Sequence, residues 1–240
     1  YDAVVSISEY TRGWVRRYWG RDSDVLFPPV PTDAVPPGEK GNRILSIGRF
    51  FGPGRGHDKK QLEMVTAFVE MRRRGQLDGW EYHLVGGCSA EDEGYVTRVR
   101  RVAAGHPVVV HTNAPRSVVT DLLATSKVFW HATGLGEDVN RQPWLFEHFG
   151  ITTVEAMAAG CVPVVIDAAG QTEIVREAVD GFRFATVAEL TAKTARLAAD
   201  DELWARLAAA ARERAELFAE PAFAARWREI VATAAPTAAS

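Results

Sequence analysis

Two cysteines in 240 residues, Cys88 and Cys161, are too few and too far apart for a disulfide framework or a zinc site. Free thiols in a reducing compartment fit them best. No apolar run approaches the roughly 20 residues needed to cross a bilayer. The N-terminus lacks the succession of charged, apolar and small residues that marks an export signal. Basic residues are not in excess: 28 Lys and Arg face 31 Asp and Glu, a formal net charge of −3. With no Lys/Arg stripe interleaved with aromatics, this balance argues against a nucleic-acid partner. None of the six histidines stands at a ligand-like spacing from another His or a Cys, so no metal site is expected. An initial Met is also missing, and Tyr1 leads straight into a strand pattern, as in a piece cut from something longer. The expectation is a soluble, cytoplasmic chain without a transmembrane segment.

What is present is material for a core, with 47% hydrophobic residues. Short β-branched runs alternate with longer amphipathic stretches, the pattern of a parallel α/β sheet flanked by helices. Residues 3–7 read as a strand, 9–19 as a helix and 24–27 as a second strand. Then comes Pro28-Pro-Val-Pro through Pro36-Pro-Gly38, too rich in proline to continue either element. A boundary there divides the chain into a first segment with its linker (1–38), an α/β domain (39–232) and a flexible tail (233–240). In the domain, strands are expected over 43–47, 82–85, 108–111, 128–131, 162–166 and 181–184. Helices are expected over 59–74, 92–104, 117–125, 153–159 and 172–178, followed by an Ala- and Arg-rich helical end whose last helix covers about 222–231. Gly160 suits the left-handed position just past a helix.

Two constellations could carry chemistry. The first is Glu147-His-Phe-Gly150-Ile-Thr-Thr-Val-Glu155-Ala-Met-Ala-Ala-Gly160-Cys-Val-Pro163-Val, a loop feeding a helix N-terminus with a carboxylate on either side. Free backbone N–H groups and the positive helix end favour a phosphate, and ionised carboxylates suit sugar and ribose hydroxyls. A simpler reading stays open, because Thr152-x-x-Glu155 also matches a capping box in which Glu155 bonds back to the helix start. The second is Ser46-Ile-Gly48-Arg49-Phe-Phe-Gly52-Pro-Gly54-Arg-Gly56-His-Asp-Lys59-Lys60, a glycine-rich turn with cations gathered where a helix begins. It is not a Walker A loop, since no Gly-Lys-Ser/Thr follows, and a surface turn with solvated cations would look the same.

The stretch from Glu147 to Val164 resembles the Glu-x7-Glu motif of retaining glycosyltransferases of family 4 (group 1), including Phe149-Gly150 and the Glu155-Ala-Met-Ala-Ala-Gly160-Cys-Val-Pro163-Val run. The resemblance implies the two-lobed GT-B fold and identifies residues from Gly41 to about Val231 with its Rossmann-like, C-terminal donor-binding lobe. Residues 1–31 resemble the last strand-helix-strand of the acceptor lobe, whose remainder would be a missing partner. By the same resemblance Glu155 bonds ribose, Glu147 bonds the transferred sugar, and the backbone of Phe149, Gly150, Ile151 and Thr152 lines the sugar and diphosphate. Gly48 and Arg49 match the family's Gly-Arg strand end. Lys59 aligns with the lysine opening the next helix, with Lys60 the near alternative, and cation and arginine would together neutralise the leaving diphosphate.

Gly86-Gly87 resembles another strand end of the family. Ala169-Gly170-Gln-Thr-Glu173 resembles its Gly-Gly-x-x-Glu, which brings the backbone near Gly170 towards the donor and leaves Glu173 as a possible helix-start carboxylate. His131 falls where a strand opens into the site, or is a buried His satisfied by hydrogen bonds. Loop 134–146 either shapes substrate selection or is a surface insertion. The implied substrate is a nucleoside-diphosphate sugar, with no cofactor and no metal. The acceptor would be a sugar, a lipid-linked glycan or a small molecule, and a lipid-linked one would place the protein peripherally at a membrane. A non-catalytic nucleotide-sugar-binding module is the alternative. A dinucleotide oxidoreductase is disfavoured, because no G-x-G-x-x-G follows the first strand.

Overall fold

The computed structural model describes residues 3–36, 38–52, 54 and 57–234. Tyr1, Asp2, Pro37, Pro53, Arg55, Gly56 and the expected tail from 235 onward lie outside the described residues. The first segment forms β1 (Val5–Ser6), α1 (Glu9–Trp19) and β2 (Asp24–Val25), with the two strands paired in parallel. Ser8 caps α1 by accepting from the Thr11 amide, and Gly20 ends it at φ 63°. Both strands are shorter than the sequence pattern predicts, because among the described residues each has only the other to pair with.

The domain is a parallel sheet built from β3 (Gly41–Ile47), β4 (Glu81–Gly86), β5 (Val108–Thr112), β6 (Ser126–His131), β7 (Val162–Ile166) and β8 (Phe182–Phe184). Its order is β5-β4-β3-β6-β7-β8. The chain winds outward from β3 in one direction and then returns to β6 and winds in the other. The order therefore reverses between β3 and β6, and the crevice beyond their carboxyl ends is where such sheets take ligands.

Alternate residues of each strand enter opposite layers. Ile44, Tyr82, Leu84, Val128, Trp130 and Val164 pack against α2 (Gln61–Arg73), α3 (Glu93–Ala103), α7 (Val187–Ala199) and α8 (Asp201–Ala215). Leu45, Val85 and Phe129 face α4 (Arg116–Thr125) and α5 (Ile151–Ala158). Burial on both faces explains why the strands read as continuous apolar runs. Just beneath the crevice, Ser46 Oγ pairs with Tyr82 Oη at 2.8 Å and donates to the Trp130 carbonyl at 2.9 Å, tying the three central strands together.

One expectation needs correction. The helix expected over 172–178 is only α6 (Gln171–Ile174), since Val175 turns extended and the fully buried Asp180 carboxylate captures the Arg176 amide and Nε. The Ala- and Arg-rich end is a succession of helices. Asp200 caps α8 through the Leu203 amide at 2.8 Å, and α9 (Glu220–Ala234) starts anew after an extended Ala219. α9 returns to the first segment, where Arg226 Nη2 meets Asp24 Oδ1 at 2.9 Å. At the other end of that segment, Glu173 accepts from the Glu9 and Tyr10 amides at 2.8 and 2.7 Å. Glu173 is thus a helix-start carboxylate, but for α1 rather than for its own helix.

Candidate active site

The loops that follow β3 and β6 border the crevice. Gly48 continues the ladder by donating to the Val85 carbonyl at 3.0 Å, and Arg49 leaves the sheet exposed. Among the described residues Arg49 has no carboxylate partner; its guanidinium lies over the Phe51 ring, 5.7 Å from the centroid. The Lys59 stem runs against Gly48, where a Cβ would approach Lys59 Cγ to 2.9 Å. That contact aims the ammonium across the crevice to Glu147 Oε2, 2.6 Å away.

Lys60 goes elsewhere. It precedes α2 in the left-handed region (φ 56°), and its ammonium lies 2.6 Å from Glu137 and 3.7 Å from Asp58. Burial would lower its pKa, but these carboxylates outweigh that and raise it. Of the two lysines, Lys59 is therefore the one brought to Glu147, while Lys60 pins loop 134–146. Tyr10 Oη also holds that loop, donating to the Pro143 carbonyl at 2.9 Å.

Glu147 shares its Oε2 with His131 Nε2 at 3.2 Å. Burial would raise the Glu147 pKa, yet the bond to His131 and the charge of Lys59 prevail and hold it well below the ordinary carboxylate range. Burial pushes the His131 pKa down, against the opposing hydrogen bond and charge of Glu147. His131, 4% exposed, is the buried histidine anticipated, but only one side of its ring is satisfied. Beside it, the His148 ring is flanked by Tyr10 and His57, with centroids at 6.0 and 5.3 Å.

After Glu147 the chain must turn sharply into α5. Phe149 anchors the turn by stacking on Phe27 at 5.6 Å, so only its backbone remains for the crevice. Gly150 follows at φ 122°, and a Cβ there would lie 2.3 Å from Gln171 Nε2. Gln171 is fully buried; it receives Thr153 Oγ1 at 3.0 Å and reaches the Phe149 carbonyl at 3.4 Å. The Gly170 amide donates to the Glu147 carbonyl at 3.0 Å, fixing the turn from the other side. Because Gly150 precedes the helix, Ile151 and Thr152 are its first two residues, and no side chain caps them. The capping box is therefore not formed. Glu155 instead accepts from Arg116 Nη2 at 2.7 Å. It is 8% exposed and stands, with Glu147, on either side of an uncapped helix N-terminus.

Of the residues expected from sequence, Lys59 meets Glu147 directly, Gly48 lies against the Lys59 stem and Gly170 bonds the Glu147 carbonyl, whereas Arg49 lies over Phe51, Glu155 pairs with Arg116 and Lys60 turns to Glu137. Arg116 and Gln171 were not singled out, and only the Gly170-Gln-Thr-Glu173 stretch carried a signal for the second. Among the described residues, no group of three or more His, Cys, Asp or Glu is placed to hold a metal ion. No helix among them is long and apolar enough to cross a membrane.

The profile of the family "Glycosyl transferases group 1" matches residues 33–214, most of the chain. The chain belongs to that family. A GDP-Man:Man(3)GlcNAc(2)-PP-Dol alpha-1,2-mannosyltransferase of Dictyostelium discoideum is 28% identical over 229 residues, covering 89% of this chain. The chain spans 44% of that relative's length. Among solved structures, Anabaena HepE in complex with UDP-glucose superposes with a TM-score of 0.75 at 18% identity, covering 97% of this chain and 63% of that one. The C-terminal domain of a group 1 glycosyl transferase from Francisella tularensis superposes at 0.59 with 16% identity, covering 78% of this chain and 96% of that domain. The fold is that of GT-B glycosyltransferases, and the family is one of sugar-transferring enzymes, hexosyltransferases among them.

Proposed function

We propose that this chain is the donor-binding domain of a retaining glycosyltransferase of family 4, which moves a sugar from a nucleoside-diphosphate sugar to an acceptor hydroxyl. The observation that carries the reading is the placement of Glu147 and Glu155 on either side of the uncapped α5 N-terminus, where the strand order reverses. In this reading Glu155 bonds the ribose and Glu147 the transferred sugar. The diphosphate rests on the backbone from Phe149 to Thr152, where helix dipole and free amides favour an anion. Arg49 and Lys59 face the charge that develops as the diphosphate departs, and preorganised cations of this kind stabilise the transition state more than the ground state. They supply the positive field a divalent metal would otherwise provide, so binding should not depend on one. No protein nucleophile is assigned.

The curated relatives' names make GDP-mannose the first donor to test, and HepE's ligand makes UDP-glucose the second. On this reading residues 1–38 are the end of an acceptor lobe and its linker, and 39–232 the donor domain. A lipid-linked acceptor, as in the relatives' names, would bring the protein to a membrane surface and a cytoplasmic one is expected. Calorimetric titration with GDP, UDP and ADP, each alone and as a sugar nucleotide, tests the proposal with excess chelator present. Saturable binding of one nucleoside diphosphate and its sugar, unchanged by added magnesium, is expected. No binding of any at millimolar concentration would overturn it. A non-catalytic module would share this binding, and the two part only when the longer protein is assayed for transfer.

A further inference from the structure

The Glu147 carboxylate has two donors on one oxygen, and they differ in what they can do when an anion arrives. Lys59 is a compact charge on a flexible stem, about one-fifth exposed, and can turn to any phosphate that enters beside it. His131 is the last residue of β6, 4% exposed, and cannot follow. Its Nε2 also lies 3.3 Å from Thr133 Oγ1, a second contact on the same side of the ring. Its Nδ1 is buried with no hydrogen-bond partner among the described residues. An imidazolium would put an N–H there without an acceptor, which is unfavourable at a buried ring atom. The network therefore assigns the neutral Nε2–H tautomer, with its one proton aimed at Glu147.

We propose that His131 is a positioning residue: its Nε2–H keeps Glu147 oriented towards the transferred sugar once Lys59 has turned to the donor diphosphate. This rests on Glu147 being the sugar-binding carboxylate. His131 then governs recognition of the sugar and leaves the nucleotide untouched. Without it, a Glu147 released by Lys59 has no fixed donor and is free to follow the ammonium. A histidine that merely fills the core would show no such division.

The test titrates the chain with GDP and GDP-mannose, and with UDP and UDP-glucose, taking whichever pair the unaltered protein binds. The readout is the ratio of the two affinities within a pair. His131→Leu keeps bulk and removes the donor; it should lower the sugar nucleotide's affinity relative to its diphosphate by roughly tenfold, about one charge-assisted hydrogen bond. Affinity for the diphosphate alone should stay within about twofold. His131→Gln places an amide N–H near the ring's Nε2 and should recover most of the ratio. His131→Asn is polar but too short to reach Glu147, so it should behave as Leu does and serves if the Leu variant fails to fold. A ratio unchanged in Leu and Asn, or lowered equally in Gln, would make His131 a core residue only. If the unaltered chain binds neither diphosphate, the donor-site reading fails first, before any variant is measured.

Discussion

Replacing Lys59 with Met keeps the stem that runs against Gly48 and removes only the ammonium. That ammonium lies 2.6 Å from Glu147 Oε2, and the two side chains are 19% and 20% exposed. Exposed ion pairs contribute about 0–1 kcal/mol, and breaking a buried one costs about 3–5 kcal/mol. One-fifth exposure lies between, so Lys59→Met should lower stability by about 1–3 kcal/mol at pH 7. The pH dependence follows from Glu147, whose pKa is held well below the ordinary range against the opposing effect of burial. A depressed carboxylate contributes stability that is fully present above its unfolded pKa, about 4.3, and is lost as pH falls towards the folded value. The gap between wild type and variant should therefore be full at pH 7 and narrow below about pH 4.

The same substitution should weaken GDP or UDP, but not the bare nucleoside, by about 1.5–3 kcal/mol. Urea unfolding at both pH values and calorimetric titration provide the measurements. Unchanged stability at pH 7, together with unchanged diphosphate affinity, would refute both halves of the reasoning.

Glu155→Ala should lower nucleotide affinity by about 1.5–3 kcal/mol with little loss of stability, because the abandoned Arg116 is 56% exposed and can hydrate; a titration beside a melting curve separates the two. Gly150→Ala must place a side chain at φ 122° against Gln171, and should destabilise by at least about 1–3 kcal/mol in urea unfolding. Glu173→Ala removes the acceptor for the first amides of α1, a loss of about 1 kcal/mol that should appear as faster amide exchange in that helix. Excess chelator should leave diphosphate affinity within about threefold of that measured with magnesium if Arg49 and Lys59 supply the positive charge at the site, as proposed.

Much of the fold is legible because most strands are short apolar runs, and helices such as α1 and α5 end at a left-handed glycine, Gly20 and Gly160. The limits of α1 and β7 match the sequence pattern residue for residue. What escaped depends on distant partners. Thr152 and Glu155 match a capping box locally, but the helix starts at Ile151, one residue ahead of Thr152, so the box never forms. Choosing between Lys59 and Lys60 required knowing that Gly48 lies against one stem while Glu137 and Asp58 hold the other. Glu173 serves a helix 164 residues earlier in the chain, and Arg116 meets Glu155 across 39 residues; neither spacing is visible in a linear pattern.

A crystal structure with a bound nucleoside-diphosphate sugar tests the central claim most directly. The account predicts the diphosphate on the backbone of Phe149–Thr152 beside Arg49 and Lys59, with ribose hydroxyls on Glu155, the sugar on Glu147 and no metal between the phosphates and the protein. A donor bound elsewhere, or one whose ribose and sugar leave both carboxylates untouched, would contradict it.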